Sequence, residues 1–323
     1  MLLALPALLT GLLLLVWSAD RLLEGAVALA RNARLSPLLV GLVVVGVGSS
    51  SAELAVAPAA AWHGHPALAL GSAWGTNIVG LSLVLGVTVL VRPISARSPV
   101  LHRELPLLLA ATVLTGLLLW DGVLSRLDAT LLLAGFVALL VWSWRQSRRS
   151  EPDALAEETA LELHTHPLGT GHAVRRVLLA LLVLTAGAAL LVWGAVEVAL
   201  GLGVSDLTMG LGVVALGITL PSLATCVAAA RKGEDDIALG HVVGAGLFNT
   251  LAVAGLAGLI EPLDVDSTVL WRDLPVMAGL ALVLYLRGRD ERQPTHLGPT
   301  TGRALVAVYL LHAAAIVVTS GPG

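Results

Sequence analysis

One carboxylate stands inside a strongly apolar stretch of this chain that runs from Gly41 to Gly80. Glu53 follows a glycine-rich run and three consecutive serines at 49–51, and a second glycine-rich run covers 71–77. Glycine and small hydroxyl residues within apolar segments indicate broken transmembrane helices, whose freed carbonyls and hydroxyls can replace the hydration shell of an ion. Because carboxylate, hydroxyl and carbonyl oxygens suit Na⁺ and Ca²⁺, this pattern predicts a cation site at Glu53.

Two other roles for Glu53 remain open from the residues alone. The carboxylate could pair with an arginine or with backbone groups in a tight bundle, although no basic residue lies on the neighbouring turns. A glutamate withdrawn from water could also carry a proton. The residue types therefore indicate Na⁺, Ca²⁺ or H⁺ as the transported cation without deciding among them.

The apolar stretch recurs in the second half of the chain. When the sequence is shifted along itself, 41–80 aligns with 210–249 without a gap, and 15 of the 40 positions are identical. Equivalent interrupted segments in two halves of a membrane protein indicate a binding site at the interface between the repeats.

The composition is that of a polytopic membrane protein, since 57% of the 323 residues are hydrophobic and only 13% are charged. A charged linker at 145–173 separates a first repeat, 1–144, from a second repeat, 174–323. The predicted fold is all-α, with two inverted five-helix repeats whose helices are broken at the membrane midplane. Apolar windows of about 20 residues place the ten helices near 2–30, 36–62, 66–91, 104–120, 127–144, 174–200, 204–230, 236–260, 270–287 and 301–319.

Lysine and arginine are distributed unevenly between the predicted connections. The connections after odd-numbered helices carry 16 of these residues, whereas the other side carries only Arg126 and Arg272. The positive-inside rule then predicts a cell-membrane protein with a cytoplasmic linker and with both termini outside.

The two glycine-rich regions resemble the signature repeats of the cation/calcium exchanger superfamily, which includes the sodium/calcium exchangers. Those repeats read G-T-S-x-P-E and then G-N-x-x-G-S-N-I-x-N. Here the first half has GSSSAE at 48–53 and GSAWGTNI at 71–78, and the second has GITLPS at 217–222 and GHVVGAGLFN at 240–249. The resemblance covers nearly the whole chain, and it implies the exchanger fold with a cation held between the repeats.

The resemblance also implies a set of metal ligands, from which the second half departs. Ser222 stands where the family has a second glutamate, Gly246 replaces an amide or carboxylate, and Ala245 replaces a serine. One carboxylate would leave a divalent ion with uncompensated charge in a low dielectric, so a single Na⁺ or H⁺ matches the pocket better. The predicted ligand set comprises Glu53, Ser49, Ser50, Asn77, Ser72, Thr219, Ser222 and His241.

His241 occupies the position of a family asparagine and is the one group in the predicted pocket that titrates near neutrality. It could pair with Glu53 or relay a proton. It could equally well hydrogen-bond a carbonyl within the helix bundle.

The predicted function is a cation antiporter that resembles sodium/calcium exchangers. A proton- or sodium-coupled exchanger of monovalent cations, or a non-transporting member of the family, is the alternative. The sequence contains no H-E-x-x-H, G-x-G-D or G-x-S-G motif with a plausible partner, which argues against an intramembrane enzyme. Inorganic cations and the lipid bilayer are the expected partners, with no cofactor and no nucleic acid.

Overall fold

The computed structural model describes residues 3–32, 50–96, 104–147, 169–233, 235–287 and 295–319. The first half contains the helices α1 (Ala4–Asn32), α2 (Ser51–Trp62), α3 (Pro66–Val79), α4 (Leu85–Val91), α5 (Leu105–Leu118) and α6 (Arg126–Ser147). The second half contains α7 (Thr170–Leu202), α8 (Asp206–Met209), α9 (Ala215–Lys232), α10 (Asp235–Phe248), α11 (Ala254–Ile260), α12 (Leu274–Arg287) and α13 (Pro299–Thr319). The described chain is therefore predominantly helical, as the composition predicts.

Four π-helical segments connect or precede these helices. Gly80–Val84 joins α3 to α4, Gly210–Val214 joins α8 to α9, Asn249–Val253 joins α10 to α11, and Val269–Asp273 leads into α12. Because a π-turn keeps the chain helical, the joined helices form longer continuous rods.

Eight helical segments in the described part of the chain are long and apolar enough to cross a membrane. They coincide with the predicted spans other than the second and the fourth. The predicted fourth span contains the shorter apolar helix α5, and the second, 36–62, is described only from residue 50 onward. The spanning segments are Ala4–Ala26, Pro66–Val91, Arg126–Ser143, Thr170–Leu202, Asp206–Arg231, Ala238–Ile260, Val269–Arg287 and Pro299–Thr319.

The sequence repeat is also a repeat of local structure. The helix α3 begins at residue 66 and α10 at 235, and their π-helical continuations begin at 80 and 249. The helices α4 and α11 begin at 85 and 254, and α5 and α12 begin at 105 and 274. In each of these pairs, the two elements begin the same number of residues apart as residues 41 and 210. Equivalent stretches of the two halves therefore fold in the same way.

Two short antiparallel ribbons connect the halves. Strand β1 (Ile94–Ala96) pairs with β4 (Thr295–Leu297), and β2 (Val123–Leu124) pairs with β3 (Leu263–Asp264). Each ribbon takes one strand from each half. The halves are thus joined at two places by backbone hydrogen bonds as well as by helix packing.

The helices that carry the repeated glycine-rich motifs lie at the centre of the bundle. In the most apolar 18-residue windows of Pro66–Val91 and Ala238–Ile260, 72% of the residues are buried, whereas in Arg126–Ser143 only 11% are. A span buried on most sides contacts other helices, and an exposed one faces the surrounding lipid. The polar residues of α3 and α10 are therefore placed inside the protein.

The expected helix break at 71–77 is wrong, because these residues are α-helical within α3. Their glycines serve close packing instead: a Cβ built on Gly71 would lie 2.6 Å from the carbonyl oxygen of Leu207, and one on Gly75 2.7 Å from Cα of Leu211. Small residues let the backbones of transmembrane helices approach closely. Glycine in this apolar span thus marks a helix crossing, and the irregular backbone begins later, at Gly80.

Candidate functional site

A small polar cavity lies between the two halves of the described bundle. The volume within which the centre of a water-sized sphere can move is about 10 Å³. This is close to the least space that holds one water molecule. The lining residues come from α2, from α3 and its π-turn, from α9 and from α10: Glu53, Thr76, Asn77, Gly80, Val84, Thr219, Ser222, His241, Val242, Ala245 and Gly246. The structure therefore brings together five of the predicted ligands in one place.

Glu53 is the buried acid of this cavity, with only 3% of its surface exposed. It lies in the first turn of α2, where the positive end of the helix dipole favours a negative charge. Within the described residues, Oε2 of Glu53 has no hydrogen-bond partner, and the arginine ion pairs form at Glu24 and Asp273 instead. Within the described residues, Glu53 therefore does not pair with an arginine.

Asn77 is held in place by the second half. Its Nδ2 donates to Oγ1 of Thr250 at 2.8 Å and lies 3.3 Å from both the carbonyl oxygen of Gly246 and Sδ of Met277. Its Oδ1 accepts from Nδ2 of Asn249 at 3.1 Å. The oxygen that was predicted to bind an ion is thus already one partner of a side-chain pair that links the halves.

Asn249 supplies an open amide oxygen next to this pair. The side chain is fully buried, and its Oδ1 has no hydrogen-bond partner in the described structure. A buried amide oxygen without a donor is costly in a folded protein unless water or an ion satisfies it. Asn249 was not among the predicted ligands, although the alignment of the two repeats places it opposite Gly80, which lines the cavity.

The hydroxyl groups near the cavity donate back to their own helices. Thr76 donates to the carbonyl oxygen of Ser72 at 2.7 Å, Ser72 to that of Ala69 at 2.8 Å, and Thr219 to that of Ala215. A hydroxyl that uses its proton in this way keeps its lone pairs for an incoming cation. Thr76, which the sequence analysis did not select, lines the cavity together with Thr219.

The remaining predicted ligands are placed differently. Ser222 lines the cavity, and the alignment of the two repeats places it opposite Glu53. Ser50 and Ser72 are buried, at 1% exposure each, but they do not line the cavity. Ser49 lies outside the described residues.

His241 reaches the cavity from α10. Its Nε2 is inaccessible to solvent and has no hydrogen-bond partner in the part of the chain that the structure describes. Two titratable side chains from different halves, Glu53 and His241, therefore line the same cavity, and each has one polar atom without a partner within the described residues.

An ion-sized polar cavity enclosed by apolar, membrane-length helices is typical of membrane proteins that handle small ions. The model of the family described as "Sodium/calcium exchanger protein" matches residues 3–145 and 172–318. The chain therefore belongs to the sodium/calcium exchanger family of membrane antiporters, which confirms the resemblance seen in the motifs.

Individual relatives agree with this assignment. The chain is 42% identical over 293 residues to the inner membrane protein YrbG of Escherichia coli (strain K12), with 88% of this chain and 89% of the relative covered. It is 27% identical over 312 residues to the sodium/calcium exchanger MaX1 of Methanosarcina acetivorans, with 86% and 89% covered. A solved structure of the sodium-calcium exchanger NCX_Mj superposes with a TM-score of 0.65 at 25% identity, covering 97% of this chain and 98% of that one.

Proposed function

We propose that this protein is a secondary active cation antiporter that exposes the Glu53 cavity alternately to the two sides of the membrane. The observation that carries the proposal is the buried Glu53 side chain, which lines an ion-sized cavity and whose Oε2 has no partner within the described residues. An ionisable group inside a membrane protein is costly to maintain and normally marks an ion pathway. The membership of the exchanger family supports the same function.

The proposed architecture has ten transmembrane helices in two inverted repeats of five. The repeated element boundaries and the ribbons that each take one strand from either half support this arrangement. In it, residues 36–49 would complete a second span that ends in α2, and α5 would form the fourth. The positive-inside rule places both termini outside and the 145–173 linker in the cytoplasm.

The proposed ion site centres on Glu53, with neutral oxygens around it. Thr76, Thr219 and Ser222 offer hydroxyl oxygens at the cavity. Asn249 does not line the cavity, but its side chain bonds to that of Asn77, which does, and its amide oxygen has no donor in the described structure. Hydroxyl, amide and carboxylate oxygens are the ligands that hard cations prefer. For Ser49, Ser50, Ser72 and Asn77, the proposal rests on the family resemblance.

A specific observation favours monovalent cations as an alternative substrate class. Ser222 lines the cavity where a second carboxylate is expected, so Glu53 is the one acidic residue among the lining residues. A bound Ca²⁺ would keep a net positive charge in a poorly solvated site, whereas Na⁺ or H⁺ would be neutralised by one carboxylate. Exchange of Na⁺ or H⁺ for another monovalent cation is therefore the second candidate.

The proposal is tested with the purified protein in proteoliposomes. Uptake of radioactive calcium and of radioactive sodium is measured against imposed Na⁺ and H⁺ gradients, for the wild type and for Glu53→Gln. We expect gradient-driven uptake of at least one cation by the wild type and its loss, by about a hundredfold or more, in the mutant, because the amide removes the charge that holds the ion. Asp273→Asn provides the control for removal of a buried carboxylate elsewhere.

Four outcomes would decide the matter. Calcium uptake driven by a Na⁺ gradient would support the family's usual exchange, and sodium flux without calcium flux would support the monovalent alternative. The absence of flux for every cation tested would indicate a non-transporting protein. Normal flux in Glu53→Gln would place the ion site elsewhere.

A further inference from the structure

The cavity differs between its two halves in the type of ligand that each supplies. The alignment of the repeats places His241 of α10 opposite Ser72 of α3. Ser72 donates its proton to the carbonyl oxygen of Ala69 and does not line the cavity, whereas His241 does line it. The second half thus brings an imidazole side chain to the cavity at a position where the equivalent residue of the first half does not line it.

The nitrogen of His241 and the carboxylate of Glu53 form an unsatisfied pair. Nε2 of His241 and Oε2 of Glu53 are both inaccessible to solvent, and neither has a hydrogen-bond partner within the described residues. Both side chains line the same cavity of about 10 Å³, one from α10 and the other from α2. A single small cation in that space could accept a lone pair from each.

Imidazole nitrogen and carboxylate oxygen together suit a particular class of ion. Imidazole binds Co²⁺, Ni²⁺, Cu²⁺ and Zn²⁺ well, whereas Na⁺ and Ca²⁺ prefer oxygen. We propose that His241 is a direct metal ligand, and that the cavity binds divalent transition-metal ions of this class in preference to Ca²⁺. This inference rests on the proposed cation site at Glu53 and names a substrate class for it.

The charge of the site fits this class better than it fits Ca²⁺. Ca²⁺ relies on negatively charged oxygens, and one carboxylate leaves it poorly compensated. A transition-metal ion gains additional stabilisation from the bond to nitrogen, and its affinity for a given site rises from Mn²⁺ through Co²⁺ to Ni²⁺. The nitrogen donor therefore replaces part of what the missing second glutamate would provide.

The ligand set is also weak enough for transport. No group of three or more His, Cys, Asp or Glu side chains that could hold a metal ion occurs in the described part of the chain. Neutral oxygens from the lining residues Thr76, Thr219 and Ser222 would complete the coordination. A transport site must release its ion as well as bind it. A site with two strong ligands releases the ion more readily than a site with four.

The test is a titration of the purified full-length protein with Co²⁺, followed by visible absorption and by calorimetry. We expect saturable binding with an affinity that exceeds the affinity for Ca²⁺. His241→Ser, which introduces the residue of the first half, should weaken Co²⁺ binding by at least about tenfold. The same mutation should leave Ca²⁺ binding unchanged or stronger. His172→Ser, at an exposed position on α7, controls for binding to surface histidines.

A second measurement does not depend on any mutant. X-ray absorption of the Zn²⁺-loaded wild type should show the scattering of one imidazole ring at bonding distance, with oxygen as the other ligands. An oxygen-only shell, or Co²⁺ binding that His241→Ser leaves intact, would overturn the inference.

These results are distinguishable from failure of the proposed function. If Glu53→Gln transports cations normally, the proposed transport site is wrong, regardless of the result of the Co²⁺ titration. If Glu53-dependent Na⁺ or Ca²⁺ flux occurs while His241 makes no contact with the metal, the function stands and this inference fails.

Discussion

Each half of the described chain buries one carboxylate, and the two are held in opposite ways. Asp273 is 1% exposed, and Arg272 contacts both of its oxygens, at 2.8 and 3.0 Å. His312 adds a third contact, with Nε2 2.8 Å from Oδ1. Glu53 is 3% exposed and lines the cavity, but its Oε2 has no partner among the described residues.

This contrast separates a structural acid from a candidate ion ligand. Burying a charge is costly, and protein partners compensate that cost at Asp273. At Glu53 no side chain among the described residues pairs with Oε2, so a bound cation or proton is the natural partner of that oxygen. Burial alone would rank the two acids equally, whereas the hydrogen-bond partners distinguish them.

The largest effect on stability is expected from Asp273→Asn. The mutation leaves the Arg272 guanidinium without its carboxylate, and loss of one partner of a buried ion pair typically costs about 3–5 kcal/mol. Thermal unfolding in detergent should therefore shift clearly downward relative to the wild type. The folded mutant should still transport cations. The exposed Asp264→Asn serves as a matched control that should unfold like the wild type.

A mutant Asp273→Asn that is as stable as the wild type but inactive would reverse the assignment of the two acids. In that case Asp273 would belong to the transport pathway. Equal loss of stability in Asp264→Asn would mean that the effect is not specific to burial.

A smaller effect on stability is expected from a matched pair of glycines. Gly75 and Gly244 occupy equivalent positions of the two repeats, but a Cβ on Gly75 would lie 2.7 Å from Cα of Leu211, whereas one on Gly244 would meet nothing within 4 Å. Gly75→Ala should therefore lower the free energy of unfolding by about 1–3 kcal/mol through overpacking. Gly244→Ala should be neutral or slightly stabilising, since alanine favours the helix.

The comparison of these two alanine mutants is made by thermal unfolding under identical conditions. Similar stability of both would mean that the close crossing of α3 with Leu211 is not a constraint on the fold.

The smallest effect expected is a gain of calcium affinity in Ser222→Glu. A second carboxylate at the cavity would give the second half the charge that the first half already has. It should raise the Ca²⁺ affinity by at least about tenfold, because a second charge at contact distance is worth a few kcal/mol. Ser222→Gln, which has the same shape without the charge, is the control. Calorimetric titration with Ca²⁺ measures both.

The structure also indicates where a further ligand could be added. A Cβ on Gly80 would meet only Cγ1 of Val242, at 3.6 Å, whereas one on Gly246 would approach the side chain of Leu108 to 3.2 Å. Gly80→Asn is therefore the better companion to Ser222→Glu. No gain in Ca²⁺ affinity from either Ser222→Glu or the double mutant would contradict the charge argument.

The sequence predicts the helices well because their signal is local. Hydropathy and the internal repeat place the eight membrane-length spans of the described residues within a few residues, and Glu53 is conspicuous as the one acid of an apolar stretch. Arg272, an exception to the charge asymmetry, is also understandable, since the adjacent Asp273 neutralises it.

The partners of individual side chains could not be predicted in the same way. His312 contacts Asp273 from 39 residues away, and Asn249 donates to Asn77 from 172 residues away. Such pairs depend on the rotation of each helix about its axis, which hydropathy does not specify. For the same reason, the glycines at 71–77 resemble a break in the sequence but form a helix crossing in the structure.

The central claim is that a transported cation binds the open carboxylate of Glu53. Infrared difference spectroscopy of the protein in lipid, on exchange of the transported cation for an inert one, reports directly on carboxylates that contact the ion. We expect a carboxylate difference band in the wild type and in Asp273→Asn, and its disappearance in Glu53→Gln. A band that persists in Glu53→Gln, or that vanishes only in Asp273→Asn, would contradict this account.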